Sequence, residues 1–353
     1  MNILVTGGAG FIGSNFLNRF VPRHPEHQFT NLDALTYAAD LRSTQPLEAH
    51  GNLHFERADI CDPDAVEAVF QRTEPDVVVH FAAESHVDRS ILGPLQFVRT
   101  NIEGTLHLLE ACRRHWTASD GSIDRGLFCH VSTDEVYGSL GDTGLFTEAS
   151  PYDPSSPYAA SKASSDHLVR AWHRTYGLPV KITNCSNNYG PWQFPEKLIP
   201  LMILHAVDGK ALPIYGEGLN VRDWLFVEDH CEAIWAVMER GRVGRTYNIG
   251  GNCERRNIDV VDAICDLVAE ATGRDPGAVR ALKTFVKDRP GHDLRYAIDA
   301  TRIREECGWA PSETFETGLR RTVAWYLAHR DWVETIRSGA YAEWMDANYG
   351  GRG

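Results

Sequence analysis

Short apolar runs alternate with amphipathic stretches through the first half of the chain, and that alternation predicts its architecture. Residues 2–6 (NILVT) form an apolar run that stops at Gly7. A helical spacing follows, with Phe11, Ile12, Phe16, Leu17 and Phe20 near one face. Residues 29–32 predict a second strand ending in Asp33, 53–55 a weaker third followed by Asp59, and 77–81 a buried fourth. Residues 128–131 and 180–183 predict a fifth and a sixth. Helical patterns over 62–72, 95–115 and 157–176 separate these runs. Strands alternating with helices imply an α/β fold, a doubly wound parallel sheet covered on both faces.

Beyond about residue 185 the pattern changes. Gly, Pro and aromatic residues crowd 187–195 and 213–224. Helices are expected over 228–239, 258–271 and 315–329, and one more strand over 246–249. No long polar linker separates the halves. The expected division is a cofactor-binding domain over 1–186, with a returning segment near 225–252, and a smaller C-terminal α/β substrate-binding domain over 187–353. A cleft is expected between them.

A formal charge of -13 excludes a generalised nucleic-acid or membrane-surface role, which needs an excess of Lys and Arg. An anionic small substrate then requires a local cluster of cations. The eight cysteines form no C-x-x-C pair, so buried reduced thiols are expected. No apolar run approaches membrane-spanning length and no secretory leader pattern opens the chain, so a cytoplasmic setting is expected. The histidines show no ligand spacing, and no metal is expected.

Gly7, Gly10 and Gly13 stand three apart at the first strand-to-helix turn. Residues without a Cβ let the backbone approach a pyrophosphate at a helix N-terminus. The spacing is G-x-x-G-x-x-G rather than the commoner G-x-G-x-x-G. Asp33, at the end of the second strand, suits the adenosine ribose hydroxyls and repels a 2′-phosphate, which favours NAD over NADP. The fold expected is Rossmann-like. Asp59 suits either the adenine amino group or a helix cap for Cys61 onward. Small Ala82 and Ala83 leave room for the cofactor.

Ser156 and Pro157 mark a helix start, so Tyr158 and Lys162 share a helix face one turn apart. A phenol is a poor base near neutrality, and a neighbouring ammonium favours the phenolate. Tyr158 can then take a hydroxyl proton while hydride leaves for NAD. Thr133, Asp134 and Glu135 follow the fifth strand and add a hydroxyl, an acid and a base.

Five segments together resemble the extended short-chain dehydrogenase/reductase family, and within it the dTDP-glucose 4,6-dehydratases. They are AAESHVDR at 82–89, STDEVYG at 132–138, SSPYAASK at 155–162, NCSNNYG at 184–190 and DRPGH at 288–292. The resemblance runs from Met1 to about Tyr349; a short 139–145 segment replaces a longer insertion of some relatives. It implies that Tyr158 deprotonates the glucose 4-hydroxyl, Thr133 bonds the same oxygen, Glu135 removes the C5 proton and Asp134 protonates the departing 6-hydroxyl. It implies tightly bound NAD held also by Phe11, Ile12, Ile60, Thr100 and Asn188. It places the sugar nucleotide against Ser85, Asn187, Lys197, Leu198, Pro213, Ile214, Tyr215, Arg222, Asn257, Asp288, Arg289 and His292. It further implies a homodimer through a four-helix interface of the 95–115 and 157–176 helices. A 4-epimerase or decarboxylase of the same scaffold, UDP-glucose as substrate, and a non-catalytic NAD-binding regulator are the alternatives. Rhamnose or another deoxysugar is the expected destination of the product.

Overall fold

In the computed structural model, which describes residues 1–123 and 125–336, seven parallel strands form the central sheet. They are β1 (Asn2–Thr6), β2 (Gln28–Asp33), β3 (Leu53–Arg57), β4 (Val77–His80), β5 (Leu127–Thr133), β6 (Val180–Cys185) and β10 (Thr246–Ile249). Their order is β10-β6-β5-β4-β1-β2-β3. The central strands are buried on both faces, which is why they read as continuous apolar runs. β3 is one edge, with Phe55 exposed, and its signal is correspondingly weak. Chain order reverses beside β1, so a crevice opens at the carboxyl ends of β1 and β4.

The helix expected over 95–115 is interrupted. A short helix, Pro94–Phe97, runs through a π-helical stretch, Val98–Gly104, into Thr105–Trp116. The wide turn brings the Asn101 side chain inward, where it bonds both backbone groups of Glu84 and the Ser161 hydroxyl, at 2.8–2.9 Å. At Gly104 a Cβ would stand 2.6 Å from the Ile60 side chain, so the crowded inner face needs glycine.

One core lies under the Phe11–Phe20 helix. Phe20 stacks on Trp235 of the Val227–Arg240 helix, ring centroids 4.3 Å apart. The chain thus returns to the sheet through that helix and β10, and Ile303, Cys307 and Trp309 pack on the same core. A second core joins the Leu198–Asp208, Asn257–Thr272 and Phe315–Ala328 helices. Three short pairings escape the sequence pattern. β9 (Val221–Phe226) lies between β7 (Asn187–Tyr189) and β11 (Glu254–Arg256), and β8 (Leu212–Tyr215) pairs with β12 (Lys283–Val286). All eight cysteines are free thiols. Among the described residues no helix is long and apolar enough to cross a membrane. The last part of the segment expected over 187–353 lies outside the described residues.

The Pro157–Tyr176 helix begins as its sequence predicts: the Ser156 hydroxyl accepts from the Ala159 amide at 3.1 Å and Pro157 takes the first position. Ser156→Ala should lower unfolding stability by about 1 kcal/mol, read as a shifted urea midpoint at unchanged slope.

Candidate active site

A cleft of about 310 Å³ occupies the crevice. The glycine turn forms its floor. Gly7 has φ +74° and a Cβ there would stand 2.7 Å from the Ala82 amide nitrogen. At Gly13 a Cβ would stand 2.2 Å from the Gly7 carbonyl oxygen. Gly10 is the helix N-cap and supplies no side-chain acceptor, so the first-turn amides are available to an anion. Asp33 is fixed at the rim: its carboxylate accepts from the Ala9 amide at 3.0 Å and the Leu35 amide at 2.8 Å. Phe11, Ile12, Asp59, Ile60, Ala82, Ala83 and Thr100 line the same cleft. Asp59 accepts from the Cys61 amide at 2.9 Å. The following helix is capped by Asp62, so the helix-cap reading of Asp59 is corrected.

β5 continues past Val131 because Ser132 and Thr133 still pair with Asn184 and Cys185 of β6. Thr133 then caps the single turn Asp134–Tyr137, accepting from the Glu135 amide at 3.2 Å. Asp134 and Glu135 therefore enter the cleft beside Tyr158 and Lys162. The two acids differ in surroundings. Asp134 is 1% exposed. Burial first, then Glu135 and Asp223, push its carboxyl well above the usual range. Glu135 is half-buried; burial raises it, but Arg289, Lys197 and Arg222 pull it back. Both acids therefore hold a proton more tightly than a free carboxyl, and cations restrain the rise more at Glu135, where these three act, than at Asp134, where Arg222 does.

The expectation that Lys162 favours a phenolate needs amendment. Burial, followed by the charge of Glu135, pushes the Tyr158 phenol well above its ordinary value, while a hydrogen bond with Thr133 lowers it. Lys162 bonds the Val131 carbonyl at 2.9 Å, and burial brings its ammonium down to about 8.

The substrate residues divide. Ser85, Asn187, Asn188 and Lys197 line the cleft. Lys197 donates to the Ser85 carbonyl at 2.7 Å. Tyr215, Asp288, Arg289 and His292 form a neighbouring cluster, joined by Asp88. The Tyr215 hydroxyl donates to Asp88 at 3.2 Å, and Arg289 lies 3.6 Å from the same carboxylate. His292 bonds Asp288 at 2.6 Å; burial, then Arg289 and Arg222, hold it down to about 4. Arg222 is buried against the Tyr296 ring and donates to the Val221 and Asp293 carbonyls. It reaches the acids through its charge rather than by lining the cleft. Ile214 is corrected: its side chain is in the second core, because strand neighbours face opposite ways, and Leu198 packs there too. Pro213 does not line the cleft, and Asn257 opens a helix with a buried, unpartnered side-chain oxygen.

Sequence reasoning missed Glu84, Cys185, Gln193, Phe194 and Glu196, all of which line the cleft. Glu196 accepts from Tyr37 at 3.0 Å and Arg89 at 2.8 Å, partners far apart in the chain. Spacing also missed one group of ligand-type side chains, His24, Glu26 and His27, whose ligand atoms lie within 4.8 Å of one another outside the cleft. NAD fits the cleft. Beyond the glycine cradle, Ser132 Oγ, Asp134 Oδ2, Asn187 Oδ1, Asn188 Oδ1 and Gln193 Oε1 are buried there without partners, as expected of atoms that a polar ligand would satisfy.

A carboxyl raised in the folded state binds its proton more tightly than in the unfolded chain, where Asp titrates near about 3.9. Its contribution to stability is present below that value and lost as pH rises through the raised folded one. Asp134→Asn should therefore remove a loss of stability with rising pH. At neutral pH the variant should be at least as stable as the parent, checked by urea midpoints at acidic and neutral pH.

The profile of the family described as GDP-mannose 4,6 dehydratase matches residues 4–322. The chain is 55% identical to dTDP-glucose 4,6-dehydratase 1 of Escherichia coli (strain K12) over 362 aligned positions covering 100% of both chains. A dTDP-glucose 4,6-dehydratase from Bacillus anthracis str. Ames, solved in complex with NAD, superposes with TM-score 0.85 at 46% identity, covering 95% of this chain and 99% of that one. A UDP-glucose 4-epimerase from Thermus thermophilus, also solved with NAD, gives TM-score 0.82 at 29% identity, covering 93% of this chain and 100% of that one. The scaffold is therefore shared with epimerases, while the higher identity lies with dehydratases. The chain belongs to the GDP-mannose 4,6 dehydratase family and stands within it beside the dTDP-glucose 4,6-dehydratases.

Proposed function

We propose that this chain is a hydro-lyase that converts dTDP-glucose to dTDP-4-keto-6-deoxyglucose and water, for deoxysugar synthesis. The observation that carries the reading is the adjacent pair Asp134 and Glu135 beside Tyr158, both raised by burial, Asp134 well above the usual range and Glu135 opposed by three cations. An epimerase has no clear use for that pair.

The glycine turn, Asp33, Asp59 and Lys162 would hold NAD, which would supply the hydride acceptor for C4 of the sugar and the hydride donor for C6. Tyr158 takes the 4-hydroxyl proton, and Thr133 orients the same oxygen. The phenol is high in the free protein, so this transfer would need added positive charge, which a bound oxidised nicotinamide would supply together with Lys162. The new 4-ketone acidifies the C5 proton, which Glu135 removes. Asp134 donates its proton to the departing 6-hydroxyl, and water leaves. Glu135 then returns a proton to C5. The cofactor would end each turnover as it began, which suits a bound group that need not leave the cleft. Lys197 and Arg289 favour the ionised Glu135. With Arg222, they also supply the local positive charge that a diphosphate needs on an acidic chain.

The cytoplasm is the setting in which eight free thiols persist. A homodimer suits the apolar side chains left in water along one edge: Leu92 at 69%, Leu95 at 68% and Val98 at 47% exposure. They stand near the Pro157–Tyr176 helix, whose outward positions include the small Ala160, Ser164 and Ala171.

Incubation with dTDP-glucose should yield the keto-sugar, read by its near-ultraviolet absorbance in alkali, with UDP-glucose turned over more slowly. Interconversion with the galactose epimer instead would overturn the assignment. Glu135→Gln should lower turnover by roughly 10²–10⁴-fold and stop deuterium uptake at C5. Undiminished uptake in that variant would remove Glu135 from the base role.

A further inference from the structure

A second concavity, about 430 Å³, lies against the Pro157–Tyr176 helix and the start of β10, away from the cleft. Its charge is unlike the rest of this acidic chain. Four guanidinium groups line it, those of Arg170, Arg174, Arg245 and Arg302, against one carboxylate, Glu148. Many arginines elsewhere close on carboxylates: Arg72 on Glu56 at 2.8 Å, Arg280 on Asp266 at 2.6 Å, Arg330 on Asp208 at 2.8 Å. In this hollow no arginine comes within 3.5 Å of a carboxylate among the described residues. Arg170 donates to the neutral hydroxyls of Tyr152 at 2.5 Å and Thr246 at 3.3 Å. Arg302 donates to the Thr246 carbonyl at 2.9 Å and stands 3.6 Å from Glu148. Arg245 is 3.9 Å from Glu306. Arg174 is exposed and has no hydrogen bond or ion pair among the described residues. Glu148 is already engaged, accepting from the Asn248 amide at 3.0 Å.

Guanidinium forks in excess of carboxylates, gathered around one hollow, are matched by an anion with several oxygens on one centre. Four such groups left under-neutralised repel one another, so the arrangement is relieved by bound negative charge. The volume falls in the range of small-molecule sites rather than of a single trapped ion. We propose that this hollow is a second binding site, for a phosphorylated small molecule, distinct from the dinucleotide cleft. Its recognition groups are Arg170, Arg174, Arg245 and Arg302. None of the residues assigned to catalysis takes part.

The test uses the full chain with NAD and saturating dTDP, so that the cleft is filled, and inorganic pyrophosphate as probe. Calorimetry should show pyrophosphate binding to this filled protein. Arg174→Ala should weaken it by about tenfold or more, the loss of charge-assisted bonds, and adding Arg245→Ala should weaken it further. Arg174 is exposed and unpaired, so the single variant should keep the parent's thermal transition without probe. Arg72→Ala, paired with Glu56 outside both hollows, should leave the titration unchanged. Absence of binding once the cleft is filled, or equal affinity in the parent and Arg174→Ala, would overturn the proposal.

Discussion

The desolvation of Asp134 is the constraint on which the site depends. Two carboxyls adjacent in sequence would titrate almost together in water. Here the last residues of β5 remain paired with β6, and Thr133 caps the turn that follows, so the first acid is carried inside and the second is left at the cleft wall. Burial holds a proton on Asp134. Lys197, Arg222 and Arg289, drawn from the second half of the chain, favour charge on Glu135. The two proton affinities are thus set by the junction of the two halves as much as by either acid.

That junction also explains why the glycine turn and the Tyr158–Lys162 helix face the same space. β1 and β5 both end at the rim of the crevice, with β4 between them. A fully parallel sheet aims all its carboxyl ends the same way, so loops distant in sequence meet there. The helix dipole, the small alanines after β4 and the capped turn after β5 are local features gathered by that geometry.

Much of this was legible beforehand. Buried strands announce themselves as apolar runs, and Gly13, Ser156 and Pro157 mark turns and caps whose chemistry is local. Thr133 to Glu135 and Tyr158 with Lys162 are local too. The second half was harder to read, because β7, β8, β11 and β12 are only three or four residues long and β8 carries Pro213. Treating Pro213, Ile214 and Tyr215 as one lining run overlooked the alternation of a strand, which sends Ile214 into the core and Tyr215 toward Asp88. Glu196 gave no signal because its partners, Tyr37 and Arg89, are brought to it only by the fold.

The wide turn at Val98–Gly104 acts as a phase shifter. Each residue advances an α-helix by about 100°, so a π-turn that holds one extra residue rotates everything after it by roughly that amount. Leu95 before the turn points outward, while Leu108 and Leu109 after it are buried; an unbroken helix would set Leu109 within about 40° of Leu95, on the same face. One continuous rod thus serves two differently oriented surfaces. A deletion of one residue there would realign the two halves into a regular helix and turn one of those surfaces away from what it faces.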